Sequence, residues 1–62
     1  MDRAMRVVRD VEVTGISYGF QGPFLLWAGE TVDLVAEVGL AKLIRTAGHL
    51  AWVESEYLEE LE

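Results

Sequence analysis

Apolar and polar residues alternate at the start of the chain. Between residues 5 and 14, the apolar side of this alternation carries Met5, Val7, Val11 and Val13. An alternation with a period of two residues predicts a strand with one buried face. Arg9 interrupts the apolar side and Val8 the polar side, so we expect an edge, a bulge or a contact surface near the middle of this strand.

A loop and a tight turn organise the next part of the chain. Residues 15–23 hold three glycines and the single proline, which is typical of a loop. An apolar, strand-like run follows at residues 24–27, and residues 31–34 return as a second strand. Gly29 lies between them and can adopt a positive φ without steric cost, so residues 28–30 are predicted to form the turn that joins the two strands.

The spacing of apolar residues changes after this turn and predicts a helix over residues 35–47. On a helical wheel, one face of this segment collects Ala36, Leu40, Leu43, Ile44 and Ala47. Asp33 precedes the segment and is predicted to cap its amide groups, and Gly48 follows it as a left-handed terminating residue. Gly39 in a helix interior costs about 1 kcal/mol relative to Ala, so we expect another backbone to approach closely there.

The C-terminal part is predicted to contribute a short strand and a short helix. Residues 50–53 are strand-like, and Ser55 is placed to cap one or two helical turns. We therefore predict an α+β fold, in which a small antiparallel, barrel-like sheet of three or four strands packs with one main helix and a short C-terminal helix. The predicted division is a flexible arm at 1–4, a single domain at 5–54 and an acidic C-terminal helix at 55–62.

The composition indicates a partner chain. A chain of 62 residues buries roughly 60 % of its unfolded surface, which leaves one domain of marginal stability. It has no cysteine and a single histidine, so disulfides are excluded and we expect no metal site and no cofactor. With 52 % hydrophobic residues, it has more apolar surface than so small a monomer buries. We expect it to bind a protein partner or to form a homo-oligomer.

The charge restricts the class of partner. A formal net charge of -6 disfavours direct binding to nucleic acid phosphates and to anionic lipid, which need clustered Lys and Arg. Three arginines lie in the first ten residues, whereas five of the eleven acidic residues lie in the last nine. Neither terminus has the pattern of a signal peptide, and no apolar run approaches the roughly 20 residues of a membrane span. We expect no membrane contact and a cytoplasmic or virion location.

No residue pattern in the sequence predicts a reaction. His49 has no serine near it in the sequence, and a nucleophile needs a base within hydrogen-bond reach. Carboxylate pairs occur at Glu59 and Glu60 and around Glu30 and Asp33, but without an evident apolar cleft that would separate their pKa values. We therefore expect neither an enzyme nor a small-molecule substrate, and we assign no catalytic residue.

Aromatic residues are the predicted contact points, because aromatic side chains dominate the energetics of interfaces. Val38 joins them, since it falls on the polar side of the predicted helix beside Arg45. The predicted partner-binding residues are Tyr18, Phe20, Phe24, Trp27, Val38, Trp52 and Tyr57.

Several short motifs between residues 6 and 53 resemble those of two groups of proteins. The motifs are GPF followed by AGETVDL, a helical LAKLI and a closing AGHLAWVE. They resemble the B domain of the GINS replication proteins and a set of short phage open reading frames that are often encoded near head genes. Both resemblances imply a non-catalytic surface that holds proteins together.

The leading interpretation is a non-catalytic protein–protein interaction or assembly module, namely a phage or virus structural or accessory protein. One alternative is a GINS-like adaptor in DNA replication. The other is an acidic inhibitor whose Glu-rich end occupies a basic channel of a host nucleic-acid enzyme. The three interpretations differ in the partner and share the absence of catalysis.

Overall fold

The computed structural model describes residues 3–19 and 21–61, and this part of the chain is built almost entirely from antiparallel strands. One turn of 3-10 helix at Ser55–Tyr57 separates the last two strands. The strands are β1 Arg3–Val7, β2 Val11–Thr14, β3 Pro23–Leu26, β4 Thr31–Val38, β5 Ala41–Thr46, β6 His49–Glu54 and β7 Leu58–Glu60.

The strands form two sheets that meet at the edge of β6. The larger sheet has five strands in the order β6-β5-β4-β1-β7, and β2 and β3 form a separate hairpin. Gly15 makes an isolated antiparallel bridge to Ala51. Next to it, Ile16 N–H donates to the carbonyl of Leu50 at 2.8 Å, and Leu50 N–H donates to Ser17 Oγ at 2.6 Å. These bonds attach the connection after β2 to β6, which is an edge strand of the large sheet. The two sheets therefore enclose one core.

The turn predicted at residues 28–30 is confirmed. Gly29 has a φ of 96°, and Glu30 N–H donates to the carbonyl of Trp27 at 3.1 Å. The turn is also tied to the end of β1, because Gly29 N–H donates to the carbonyl of Val7 at 2.7 Å and Val7 N–H donates to that of Glu30 at 2.8 Å. Glycine fits this position because it has no Cβ atom and therefore adopts a positive φ without a clash with its own backbone.

The core lies on one face of the large sheet and is closed by the hairpin. Leu34, Ile44 and Ala51 are register partners across β4, β5 and β6, and all three are buried. Partners in adjacent antiparallel strands share a face, so these residues define the inner side of the sheet. The buried hydrophobic residues are Met5, Val7, Val13, Leu26, Val32, Leu34, Ile44, Ala51, Val53 and Leu58.

The prediction of an α+β fold is wrong, because residues 35–47 form no helix. They belong to β4, to a two-residue turn at Gly39 and Leu40, and to β5. Gly39 has a φ of 59°, and the next turn has positive φ at both Ala47 and Gly48. Two-residue hairpin turns favour such angles. Gly39 and Gly48 therefore lie in the turns of two successive hairpins, and not in the interior and at the end of a helix.

A β-bulge explains why the apolar spacing imitated a helix. The register between β4 and β5 shifts between Leu34, which pairs with Ile44, and Ala36, which pairs with Leu43. Val35 is therefore the extra residue, and an extra residue changes the phase of the two-residue alternation. Asp33 caps no helix; it is the register partner of Arg45.

The predicted short C-terminal helix is also wrong. Only Ser55–Tyr57 forms one 3-10 turn, and the chain then continues as β7, whose Leu58 is buried opposite Val7 of β1. Pairing with β7 gives hydrogen-bond partners to the backbone N–H and C=O groups along the edge of β1. One exposed helical turn would leave these backbone groups of β1 without a strand partner. At the other terminus, Arg3 and Ala4 of the predicted arm lie in β1, while positions 1 and 2 are outside the described residues.

Candidate functional site

The outward side of β4, β5 and β6 carries three rows of register-paired side chains, which we call the outer face. Antiparallel partners lie on the same side of a sheet, about 4.5–5.5 Å apart between Cβ atoms. The central row is Ala36, Leu43 and Trp52; one flanking row is Val38, Ala41 and Glu54; the other is Asp33, Arg45 and Leu50.

The outer face is predominantly apolar although it does not contact the core. Its rows alternate with the buried inner row that contains Ile44, as the pleat of a strand requires. Trp52 is 41 % exposed and Val38 is 69 % exposed, whereas Leu43 between them is half-buried. A contiguous set of exposed apolar side chains on a sheet is a feature that marks interaction sites.

The bulge at Val35 sets which residues of β4 reach the outer face. Without an extra residue, alternation from the buried Leu34 would turn Ala36 towards the core and Glu37 outwards. The bulge reverses this phase, so Ala36 and Val38 lie on the outer face and Glu37 lies on the opposite side. A local irregularity of the backbone thereby makes the outer face apolar.

A groove of about 320 Å³ lies at one end of the outer face. One wall is formed by Leu40 in the β4–β5 turn, and the 3-10 turn forms the other wall. Ser55 N–H donates to the carbonyl of Leu40 at 2.8 Å and holds the two walls at a fixed separation. The groove is lined by Leu40, Ala41, Glu54, Ser55 and Glu56.

Two of the residues predicted to bind a partner, Val38 and Trp52, lie together on the outer face. Tyr18 lies apart, fully exposed in the connection between β2 and β3, and Trp27 is 56 % exposed at the turn between β3 and β4. The structure therefore does not bring the exposed aromatic residues into one cluster. Phe20 is outside the described residues.

Phe24 and Tyr57 have a structural role in the fold. Both are partly buried and pack against the hydrophobic core. The ring of Phe24 lies 6.2 Å from that of His49 between centroids, tilted by 52°. The guanidinium carbon of Arg9 lies 5.1 Å from the ring centroid of Tyr57, within the range of a cation–π interaction.

The sequence prediction missed the residues between Val38 and Trp52 that complete the outer face. The sequence prediction places Leu43 on the apolar face of a helix, and Leu50 in a strand without a stated orientation. One signal was available, because Ala47-Gly48 and Gly39-Leu40 are separated by a six-residue segment, the length of a hairpin strand. Two turns at that spacing indicate successive hairpins, in which Leu43 and Trp52 become partners.

The charged groups on the opposite side of the sheet form an ion-pair network. Lys42 Nζ lies 2.8 Å from Glu37 Oε2, and Arg3 bridges Glu37 at 3.0 Å and Glu60 at 3.1 Å. The hydrogen bond and the positive charge of Lys42, with a smaller contribution from Arg3, lower the pKa of the Glu37 carboxyl below its ordinary value of 4.5. This network joins β1, β4, β5 and β7, and none of its two cations and two carboxylates lies on the outer face.

The described residues contain no group of three or more His, Cys, Asp or Glu side chains that could hold a metal ion. Within the same part of the chain, no polar or charged side chain is buried. Among these residues there is also no helix of the length and hydropathy needed to cross a bilayer. The chemical character of the outer face is therefore set by its apolar side chains and by three charged ones, Asp33, Arg45 and Glu54.

No family model, curated protein or solved structure matches this chain. The resemblances to the GINS B domain and to short phage open reading frames stay predictions. The prediction that the LAKLI motif lies in a helix is wrong, because this motif lies in the turn after β4 and in β5. The proposal of a function rests on the surfaces of the chain itself.

Proposed function

We propose that this chain is a non-catalytic protein–protein interaction module and that the outer face is its contact surface. The observation that carries the proposal is the central row, in which Ala36, Leu43 and Trp52 stand side by side on the solvent side of the sheet. These side chains contribute nothing to the core, which lies on the inner side. Their exposure is unfavourable in the isolated chain and is relieved by a partner.

Burial of this surface against a partner would contribute favourable free energy to binding. Complete burial of one side chain such as Leu or Val contributes about 1.5–3 kcal/mol, and Trp is among the residues that dominate measured interfaces. Trp52 is surrounded on the sheet by Leu43 and Leu50, which would exclude water around it. An anchor with an apolar surround is the usual arrangement of an interface centre.

Membership of a larger assembly, such as a phage or virus particle, fits a small chain that exposes several large hydrophobic side chains. The inhibitor alternative has less support, because two of the C-terminal carboxylates already have internal partners. Glu59 pairs with Arg6 at 3.1 Å, and Glu60 pairs with Arg3. A basic channel would have to compete with these pairs for the same carboxylates.

The test is affinity capture with a tagged chain in the cells that encode it. We expect the wild-type chain to retain a defined partner, either another protein or untagged copies of itself, and the Trp52→Ser variant to lose it. Trp27→Ser is the matched control, because it removes another exposed Trp away from the outer face. With the purified partner, the dissociation constant of Trp52→Ser should rise at least about tenfold. A partner retained equally by both variants would reject the outer face as the contact surface.

A further inference from the structure

We propose that the outer face binds a second copy of this chain, through a two-fold axis that runs across the strands along the central row. The inference rests on the proposed function and deepens it by naming the occupant. An isologous interface must be complementary to itself, since the same surface is used by both copies. The outer face meets this condition through its central row and through the positions of Arg45 and Glu54.

Arg45 in one flanking row and Glu54 in the other lie at corresponding distances from the central row, although Arg45 shares its row with Asp33. Arg45 lies two residues along β5 from Leu43, and Glu54 lies two residues along β6 from Trp52 in the opposite direction. At about 3.3 Å per residue, each lies some 7 Å from the axis. Rotation about the axis exchanges the flanking rows, so Arg45 of one copy comes to lie over Ala41 and beside Glu54 of the other.

The groove at the end of the outer face accommodates this arginine. Ala41 lines the groove, and Leu40 supplies an apolar wall for the methylene groups of an arginine side chain. Glu54 and Glu56 line the same groove and supply carboxylates for the guanidinium group. Hydrogen bonds between arginine and a carboxylate are among the stronger ones in proteins. Because of the two-fold symmetry, this contact occurs twice.

The central row matches itself under the same rotation. Residues on the axis meet their own equivalents, so Trp52 of one copy packs on Trp52 of the other and Leu43 packs on Leu43. Face-to-face sheets pack about 10 Å apart, which suits side chains of this size. An axis parallel to the strands is disfavoured. If it ran along β5, the middle one of the three strands of the outer face, it would place Arg45 opposite its own equivalent, and two like charges would meet.

The distribution of net charge permits association of two acidic chains at this face. Asp33, Arg45 and Glu54 together give the outer face a formal charge of -1, out of -6 for the whole chain. Most of the acidic surface therefore lies elsewhere and is separated from the contact. Repulsion between more distant charges is screened within about 8–10 Å at ordinary ionic strength.

Charge reversal at the two paired positions tests this arrangement. Sedimentation velocity of the wild-type chain, from micromolar to millimolar concentration, should show a dimer that dissociates on dilution. Arg45→Glu and Glu54→Arg should each weaken self-association at least about tenfold, because each creates two like-charge contacts. An equimolar mixture of the two variants should restore association, since every contact then joins opposite charges.

Arg6→Glu with Glu59→Arg is the matched control, because this exposed ion pair joins β1 to β7 and lies on the same side of the sheet but outside the three rows of the outer face. Thermal unfolding establishes that each variant is folded. A glutamate at position 45 would face the carboxylate of Asp33 in the same chain. If Arg45→Glu is unfolded for this reason, Arg45→Gln and Glu54→Gln replace the charge reversals, and each should weaken the dimer.

A wild-type chain that stays monomeric would overturn the inference, and so would variants that associate as the wild type does or a mixture that is not restored. If the wild type is monomeric but captures another protein through Trp52, only the second-copy inference fails. If Trp52→Ser also leaves capture unchanged, the proposed function fails with it.

Discussion

Leu43 and Trp52 are register partners across β5 and β6, and both point away from the hydrophobic core. This pair shows that the large sheet has two apolar sides. The inner side is closed by the β2–β3 hairpin, while the outer side has no cover among the described residues. The outer pair is therefore available for an intermolecular contact, and the inner residues determine stability.

Replacement of Ile44 by Ala should strongly destabilise the monomer. Ile44 is completely buried at the centre of the inner row, between Leu34 and Ala51. Truncation of a buried Ile to Ala typically costs about 2–5 kcal/mol, because it removes apolar contacts and leaves a cavity. The measurement is the free energy of unfolding from urea denaturation at low protein concentration.

Tyr18→Ala is the control for this substitution, because the Tyr18 side chain is fully exposed. Its unfolding free energy should stay within about 0.5 kcal/mol of the wild type. If Ile44→Ala is unfolded, Ile44→Val should show a smaller loss of about 0.5–1.5 kcal/mol. Equal effects at positions 44 and 18 would contradict the placement of the core.

Replacement of Gly29 by L-Ala should destabilise the chain by about 1–2 kcal/mol, the usual cost of a left-handed backbone for an L-residue. Gly29 has a φ of 96°, and a Cβ atom built there meets no other atom within 4 Å. The cost therefore comes from the backbone and not from a steric contact with the surroundings. Thermal and urea unfolding of the variant measure it.

A chain of this length can be prepared by chemical synthesis, which allows a mirror-image control at Gly29. D-Ala has the same volume as L-Ala but prefers a positive φ, and it should be neutral or slightly stabilising because it restricts the unfolded chain. If the two alanines destabilise equally, the turn does not have the backbone conformation described here.

The contribution of Glu37 should depend on pH. Because Lys42 and Arg3 lower the pKa of Glu37 in the folded chain below its ordinary value of 4.5, the stabilisation is fully present above pH 4.5 and is lost as the pH falls through the folded-state pKa. The difference in Tm between the wild type and Glu37→Gln should therefore be larger at pH 7 than at acidic pH. Thermal unfolding at a series of pH values measures this difference.

Salt provides the control for Glu37, because the network is exposed and its ion pairs are screened. High salt at pH 7 should reduce the difference in Tm between the wild type and Glu37→Gln. A difference that is the same at all pH values would contradict the ion-pair origin of the effect.

The sequence was sufficient to predict extended structure and the turn at residues 28–30 in the first half of the chain, but the single strand predicted over residues 5–14 is wrong, because β1 and β2 are separate strands in different sheets. Alternation in residues 5–14 and the position of Gly29 depend on neighbouring residues alone, and β1, β2 and the 28–30 turn lie there. The second half was mispredicted because the bulge at Val35 depends on pairing with β5. A change of phase in one strand, followed by a six-residue strand between two turns, produced a spacing that also fits a helix.

The outer face could be predicted only in part for the same reason. Val38 and Trp52 are among the predicted partner-binding residues, but the sequence did not place them on one surface. Their relationship is determined by the register of three strands, in which Ala41 links Val38 to β6 and Leu43 pairs with Trp52. Register is a property of long-range pairing, so Arg45 and Glu54 could not be recognised as corresponding positions.

The fluorescence of Trp52 provides the most direct test of the central claim that the outer face is buried against a second copy. Trp27→Phe leaves Trp52 as the single tryptophan, so the emission reports on the outer face alone. As the concentration rises through the range in which the dimer forms, the emission should shift to shorter wavelength, because the indole leaves water. Trp52 emission that stays at the wavelength of an exposed indole while sedimentation shows a dimer, or the absence of any dimer, would contradict the account.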